Sequence, residues 1–201
     1  LSVVWADTDG DLRPDDCDQC DGPEFDLDGN GWSDCAQIDH EDETCTFNVA
    51  DGTQIQPALD FALDGFIVEL EPGSYTTLPG GLDIPGHAIT LRGGIDELGQ
   101  PASSIDGVDD RAIVLENNLN SVAFEHLVIS GRHDNNGGGA YIYRSDPSFS
   151  NCRFVNCYTE GTSTWDGGGA VFVFSQSPSH RPSFDNCVFS DNSAHKGGAI
   201  G

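Results

Sequence analysis

Apolar residues from position 88 onward occur in short runs that alternate with polar residues. Residues 88–91 read AITL, residues 140–143 read AYIY and residues 171–174 read VFVF. A period of two predicts β-strands with one buried face, and the glycine, asparagine, aspartate and serine residues between the runs predict turns. The sequence therefore predicts a series of short strands closed by turns.

A helical period occurs before these strands. Within the segment 53–65 four apolar residues have helical spacing: Ile55, Ala58, Leu59 and Ala62. Thr53 and Gln56 offer a capping box at the start of this segment. Pro57 indicates that the helix begins no earlier than Gln56, and Gly65 is expected to end it. One short amphipathic helix is expected before the strand-rich region.

Glycine runs repeat along the last third of the chain. GGGA occurs at residues 137–140 and at 167–170, and GGAI occurs at 197–200. A longer landmark, PSFSNCRF at residues 147–154, returns as PSFDNCVF at 182–189. Such self-similarity indicates a repeat protein. Because each unit holds only short strands and turns, the expected architecture is a β-solenoid.

Stacked repeats place equivalent residues on neighbouring coils, about 4.8 Å apart. Aligning the glycine runs makes Ile142 equivalent to Phe172, so these two side chains are expected to share one face of the sheet. The opposite face is then expected to carry Tyr141, Tyr143, Val171 and Val173. Asn151 and Asn186 are also equivalent and are expected to form a polar ladder at a turn.

Charge divides the chain into two parts. The sequence carries 34 acidic and 8 basic residues, a net charge of −26 at pH 7, which opposes binding to nucleic acid and anionic lipid. Residues 1–45 hold 15 of the acids and a single base, Arg13. This shift predicts a domain boundary near Cys45, with an acidic module at residues 1–45 and the solenoid at residues 46–201.

Two aspartate-rich loops lie in the acidic module, at residues 7–18 and 26–37. Each places oxygen-bearing side chains at positions 1, 3, 5, 9 and 12 and a backbone carbonyl at position 7, a pattern that surrounds calcium. A solvated acidic linker without metal is the alternative. The expected ligands are Asp7, Asp9, Asp11, Arg13, Asp15 and Asp18 in the first loop, and Asp26, Asp28, Asn30, Trp32, Asp34 and Gln37 in the second.

The seven cysteines fall into two groups. The acidic module has little apolar sequence, so an even set of cysteines there favours two disulfides in an oxidising compartment, with the pairing open. A zinc site built on the same cysteines, with His40 as a possible replacement ligand, is the alternative. In the solenoid, Cys152 and Cys187 are expected to stack as buried free thiols. The four residues of the expected disulfides are Cys17, Cys20, Cys35 and Cys45.

The sequence contains neither a transmembrane run nor a complete signal peptide. Methionine is absent, and residues 195–201 stop inside a repeat unit. A piece of a longer protein, with further coils downstream, is therefore expected.

Several motifs resemble known families. The helix, strands and PGSY turn between Gly52 and Gly94 resemble the entry of pectin-lyase-like β-helices. FSDN at residues 189–192, followed by GGAI, resembles the FxxN and GGA(I/L/V) motifs of chlamydial polymorphic outer-membrane proteins and related bacterial surface proteins. Residues 7–37 are similar to thrombospondin type 3 repeats. These resemblances imply an all-β, right-handed single-stranded parallel β-helix with a short N-terminal capping helix, preceded by a small loop-rich calcium-binding module.

Catalysis has one candidate set of residues. Pectin-lyase-like hydrolases use clustered aspartates with nearby histidine and basic residues, and Asp109, Asp110 and His133 approach that set. The order Gly-Arg-His at residues 131–133 departs from the Gly-His-Gly of those enzymes, and one lysine with seven scattered arginines gives no cationic cleft for a lyase. Solvated turn residues are the alternative interpretation.

Aromatic residues give the candidate binding site. Tyr141 and Tyr143 are expected to share the face opposite Ile142, and Trp165 lies in a long loop, so their rings could form a stacking platform for a neutral sugar. Coverage of the same rings by the loops at residues 143–148 and 174–182 is the alternative.

The expected function is adhesion or surface binding by a secreted or cell-surface bacterial protein, possessing no enzymatic activity in this chain. The expected partners are calcium and either an extracellular carbohydrate or a surface protein of a host or neighbouring cell. Two alternatives stay open: a polysaccharide lyase or glycoside hydrolase of the β-helix class, and a structural spacer within a large surface protein.

Overall fold

The computed structural model describes residues 46–52, 54–84, 86–118, 121–162, 166–175 and 180–201. The acidic module at residues 1–45, including its expected calcium ligands and disulfide cysteines, lies outside the described residues, and so does Trp165. The domain boundary near Cys45 therefore stays a prediction.

The described chain is all-β apart from one short helix. Its helix is α1 (Gln56–Phe61). Its strands are β1 (Thr46–Val49), β2 (Ile67–Leu70), β3 (Gly73–Thr76), β4 (Leu82–Asp83), β5 (Thr90–Gly93), β6 (Ser103–Asp106), β7 (Ile113–Glu116), β8 (Ala123–Glu125), β9 (Leu127–Ser130), β10 (Arg132–His133), β11 (Ala140–Tyr143), β12 (Ser148–Ser150), β13 (Arg153–Val155), β14 (Tyr158–Thr159), β15 (Val171–Phe174), β16 (Ser183–Asp185) and β17 (Val188–Ser190).

The chain visits three sheets in a fixed cycle. Strands β2, β3 and β4 lie in a six-stranded, a five-stranded and a four-stranded sheet respectively, and β5, β6 and β7 repeat that order. The same cycle continues through β8, β9 and β11 and then through β12, β13 and β15, while β10 and β14 pair in a small sheet of their own. Each strand pairs in parallel with its equivalent one circuit later. Stacked parallel sheets visited in this order are consistent with a β-helix.

Helix α1 packs against the core beside the edge strand β4. Its buried residues Ala58 and Leu59 pack into the core. The Gln56 side chain forms hydrogen bonds with the backbone of the edge strand β4. Gln56 Nε2 donates to the Asp83 carbonyl oxygen at 2.8 Å, and Gln56 Oε1 accepts from the Asp83 backbone N–H at 2.9 Å. These two hydrogen bonds occupy backbone groups that an unprotected edge would expose.

The predicted start of this helix at Gln56 is confirmed, but its predicted end differs from the structure. Ile55 occupies the N-cap position without a side-chain cap hydrogen bond. The capping box stays a prediction, because Thr53 lies outside the described residues. The helix ends at Phe61 rather than at Gly65, because Ala62 already has an extended backbone with ψ of 135°.

Phenylalanine rings fill the core of the later coils. Phe124, Phe149 and Phe184, one from each of three successive strands of the six-stranded sheet, stack at centroid distances of 4.6 and 5.1 Å. We call these three residues the inner aromatic stack. Phe154 and Phe189 form a second stack beside it at 5.0 Å. The predicted equivalence of residues 147–154 with residues 182–189 is thereby confirmed.

The turns between the six-stranded and five-stranded sheets repeat one backbone conformation. His126, Asn151 and Asn186 stand at equivalent turns with φ of 53°, 52° and 49°. Asparagine tolerates this left-handed region better than most residues do. Asn186 Nδ2 donates to Asn151 Oδ1 at 2.6 Å, and Asn151 Nδ2 lies 3.3 Å from His126 Nε2. The predicted asparagine ladder is confirmed, and it extends to a histidine.

The alignment of the glycine runs is wrong by one residue. Ala140 pairs with Val171 rather than with Ala170, so Tyr141 pairs with Phe172. The cause lies at Gly167, which pairs with Asn136 and donates its backbone N–H to Asn136 Oδ1 at 2.9 Å. The first glycine of the second run is therefore equivalent to Asn136, and Gly168 is equivalent to Gly137. The glycines with positive φ that are structurally equivalent are Gly137, Gly168 and Gly197.

A shift of one residue moves every side chain of a strand to the opposite face. Phe172 accordingly does not share the face of Ile142, and Val171 and Val173 do not share the face of the tyrosines. Val171 is fully buried and Val173 packs against the core beside Ile142.

Candidate binding groove

The outward face of β11 and β15 carries four aromatic side chains at alternate positions. Tyr141 stacks on Phe172 at a centroid distance of 6.0 Å with 9° between the ring planes, and Tyr143 stacks on Phe174 at 5.7 Å with 14°. Ile142, between the tyrosines, is fully buried on the other face. The two-residue period of the strands thus separates a core face from an aromatic face.

Together with Asn136, these rings line an open cavity with a volume of about 430 Å³. We call it the aromatic groove, defined by Asn136, Tyr141, Tyr143, Phe172 and Phe174. Phe174 is 37% exposed, and the two tyrosines are half-buried. The groove is therefore accessible from solvent within the described part of the chain.

Two arginines pack against the tyrosine rings. The Arg111 guanidinium carbon lies 4.5 Å from the centroid of the Tyr141 ring, and that of Arg144 lies 5.0 Å from the centroid of Tyr143. Both distances are in the range of cation–π contacts. Arg111 Nε also donates to the Asn136 carbonyl oxygen at 2.9 Å. Asn136 therefore links Arg111 to the next coil, because its own side chain binds Gly167.

Burial shifts the titration of two groups at this groove. It raises the pKa of the Tyr141 hydroxyl, and the nearby Glu116 carboxylate acts in the same direction. Burial lowers the pKa of Arg111 from its very high ordinary value, while Tyr141, Asp110 and Glu116 oppose that change. Tyr141 consequently keeps its proton near neutral pH, and its hydroxyl stays available as a hydrogen-bond donor.

The three candidate catalytic residues lie on neighbouring coils, as expected. Asp110 is close enough to His133 to influence its pKa, which burial lowers first and the charge of Arg111 lowers further. His133 Nδ1 accepts from the backbone N–H of Asn135 at 3.1 Å.

The carboxylate of Asp110 is already engaged by the backbone. Its Oδ2 accepts from Gly80 N and its Oδ1 from Arg111 N, both at 2.8 Å. Asp109 is exposed at a turn with φ of 62°. Among the contacts of the described residues, none joins Asp109 or Asp110 directly to His133. The geometry supports a structural role for Asp110 in holding a turn.

The cysteines of the described chain are free thiols. Cys152 and Cys157 are buried and Cys187 is half-buried. Cys152 precedes β13 as Cys187 precedes β17, and the two strands pair, so the predicted equivalence of these two cysteines is confirmed. The predicted burial is confirmed for Cys152 and is wrong for Cys187. No group of three or more histidine, cysteine or acidic side chains suited to a metal occurs in the described ranges.

Sequence reasoning did not assign five residues to this region: Phe172, Phe174, Asn136, Arg111 and Arg144. The first two could have been found by aligning the strands instead of the glycines, since Tyr-x-Tyr at residues 141–143 matches Phe-x-Phe at residues 172–174. No local sequence pattern indicates a role for Arg111, because its contact with Tyr141 joins two different coils.

Comparisons with known proteins leave the groove to be interpreted from its own chemistry. No protein-family model matches the chain, and neither a curated protein nor a solved structure matches it significantly. Among the residues that the structure describes, no helix is both long and apolar enough to span a membrane.

Proposed function

We propose that the chain is a secreted or cell-surface protein that binds carbohydrate through the aromatic groove and acts in adhesion, with no enzymatic activity of its own. The observation that carries this proposal is the set of four aromatic side chains gathered on an outward sheet face. Ligand sites are typically concave and mostly apolar, have a few polar groups and measure about 300–1,000 Å³. The groove meets each of these criteria.

The chemistry of the groove suits a sugar. Sugar rings present an apolar C–H face that packs on aromatic rings, and hydroxyl groups at their edges that need hydrogen-bond partners. Phe172 and Phe174 offer the apolar surface, while Tyr141 and Asn136 offer polar groups beside it. Tyrosine combines both properties because its ring is apolar and its tip is polar.

The architecture that we propose is a right-handed, single-stranded parallel β-helix of the pectin-lyase-like type, capped by α1. Support comes from the three-sheet cycle and from the right-handed preference of parallel crossover connections. Such an elongated stack presents extended faces suited to chain-like partners.

We also propose that residues 1–45 form a calcium-binding module that precedes the β-helix and is joined by disulfides. Two independent loops with matching oxygen spacing support it. Calorimetric titration with calcium, beside a variant that carries Asp7→Asn, Asp9→Asn, Asp26→Asn and Asp28→Asn, tests this. Equal heats from both proteins would reduce the module to an acidic linker.

Glycan-array screening followed by calorimetry tests the main proposal. The Tyr143→Ala and Phe174→Ala variants are expected to bind the selected glycan about tenfold more weakly or worse, because each loses roughly 1–2 kcal/mol of ring contact. Tyr158→Ala is the matched control: Tyr158 is 39% exposed on β14 and lies outside the groove.

The outcomes separate the alternatives. Binding that all three variants retain would move the site elsewhere on the chain. Failure to bind any glycan would contradict the proposal and favour a structural spacer or a protein partner. Cleavage of a glycan that Asp110→Asn abolishes would favour a polysaccharide-degrading enzyme.

A further inference from the structure

Arg111 differs in its ion pairing from two other arginines of the described chain. Arg92 forms a salt bridge with Glu125 at 2.8 Å, and Arg132 forms one with Glu160. Within the described ranges, Arg111 has no carboxylate at salt-bridge distance, although the chain carries 34 acidic residues. A half-buried guanidinium without an ion partner needs another explanation, because burying a charged group is costly.

The nearest acid is unavailable to the Arg111 side chain. Asp110 gives both of its carboxylate oxygens to backbone N–H groups, one of them from Arg111 itself. Glu116 lies near enough to act on the charge of Arg111, and its own strand position pairs with Tyr143. The two carboxylates therefore offset the positive charge of Arg111 without taking its Nη hydrogen bonds.

The guanidinium is nonetheless held in place. Its Nε donates to the Asn136 carbonyl oxygen at 2.9 Å, and its Cζ lies 4.5 Å from the Tyr141 ring centroid. These contacts fix the group at the edge of the aromatic groove. Its Nη1 and Nη2 atoms are left without an acceptor among the described residues. A fixed donor beside an apolar groove is the arrangement that orients a ligand.

We propose that Arg111 determines the specificity of the aromatic groove by donating from its Nη atoms to hydroxyl oxygens of a neutral sugar. This inference rests on the proposed carbohydrate-binding function. A neutral ligand fits better than an anionic one because Asp110 and Glu116 already balance the local charge, and because the net charge of −26 repels anions. Arginine suits this role because its planar fork can address two adjacent oxygens.

The test compares Arg111→Lys with the unchanged full chain. The probes are oligosaccharides from cellulose, mannan and xylan, and an oligogalacturonate as the anionic counterpart. Lysine keeps the positive charge but loses the fork, so binding of the preferred neutral probe is expected to weaken about tenfold or more. Because the ligand is neutral, the affinity of the unchanged chain is expected to be nearly independent of salt.

Deoxy-sugars supply a readout that a merely structural role of Arg111 would not change. Removing the hydroxyl contacted by Arg111 is expected to weaken binding to the unchanged chain. It is not expected to weaken binding to the Arg111→Lys variant, because that variant has already lost the same hydrogen bond. Arg111→Gln gives a second variant if lysine impairs folding, which thermal unfolding monitors. Arg153→Lys, an exposed arginine on β13, is the control and is expected to bind normally.

Two results would overturn the inference while leaving carbohydrate binding intact. One is equal affinity of the Arg111→Lys variant and the unchanged chain for the neutral probe. The other is preferential binding of oligogalacturonate that weakens with added salt, which would make Arg111 a charge partner instead. If the unchanged chain binds none of the probes and no glycan on the array, the proposed function itself fails, and this inference fails with it.

Discussion

The inner aromatic stack and the aromatic groove are built by the same repeat on opposite faces of the coils. Both place rings from successive strands almost parallel, but the inner rings lie 4.6 and 5.1 Å apart, whereas the groove rings lie 5.7 and 6.0 Å apart. The inner stack is all phenylalanine, and the groove mixes tyrosine and phenylalanine with adjacent arginines. Stacking alone therefore does not identify a binding site. The face on which the rings lie distinguishes the core stack from the groove that we propose as a ligand site.

The largest expected difference between these regions concerns the free energy of unfolding. Phe149→Ala removes a ring that is 1% exposed and contacts three other rings, Phe124, Phe154 and Phe184. It is expected to lower that free energy by about 3–5 kcal/mol, since it loses transfer free energy and leaves a cavity. Phe174→Ala in the groove is expected to cost about 1 kcal/mol or less.

Urea denaturation of both variants measures this difference in stability. Glycan binding is expected to show the opposite order, with the larger loss of affinity in Phe174→Ala. Similar losses of stability would mean that the groove rings are part of the core, which would remove the basis for treating them as a ligand surface. If Phe149→Ala does not fold, Phe149→Leu keeps most of the volume and is expected to show a smaller loss in the same direction.

The contrast between faces also depends on the turn that sets the register of β15. Gly168 has φ of 65°, and a Cβ placed there would clash with the Val171 carbonyl oxygen. Gly168→Ala is expected to lower the free energy of unfolding by about 1–3 kcal/mol because the left-handed backbone is strained for alanine. It should also weaken glycan binding by displacing Phe172 and Phe174.

Gly86→Ala is the matched control, because Gly86 has no positive φ and a Cβ there meets nothing within 4 Å. It is expected to be neutral or slightly stabilising. Measurement of chemical denaturation and glycan affinity for both variants tests the point. Unchanged binding in Gly168→Ala would show that the register of β15 does not depend on this turn.

The same turn explains what the sequence could and could not predict. Residues 147–154 and 182–189 align without ambiguity because six of their eight positions are identical, and the inner stack follows from that alignment. The glycine runs align in two ways, since three consecutive glycines look alike while only the backbone distinguishes the left-handed one. The sequence therefore predicts the face of Tyr141 and Tyr143 correctly, but it predicts the wrong face for Phe172.

Arg111 marks a different limit of sequence reasoning. Its ring contact and its hydrogen bond both reach residues that are about 25–30 positions away, so no local pattern reveals them. The helix start was predictable because proline acts through its own backbone. Effects of a residue on its own backbone can thus be predicted from the sequence. Contacts between coils can be predicted only when the pairing register of the strands is known.

The smallest effect expected from the inner face is a pH dependence of stability. Cys157 is buried, and its thiol donates to the Ile129 carbonyl oxygen at 3.4 Å. Burial raises the pKa of this thiol to about 12, above the ordinary value of about 8.5. The folded state therefore holds the proton more tightly than the unfolded state. Stability from this thiol is intact at neutral pH and is expected to fall as the pH rises above about 8.5.

The decline should reach about 1 kcal/mol one pH unit above that value, because each unit corresponds to about 1.4 kcal/mol. Comparing urea denaturation of the unchanged chain with Cys157→Ala between pH 7 and about 9.5 isolates it, since tyrosine and lysine titrations are common to both proteins. The variant is expected to be less stable at pH 7 but to lose less stability with rising pH. Parallel curves would mean that water reaches Cys157, and the inner face would then be less sealed than the contrast with the groove requires.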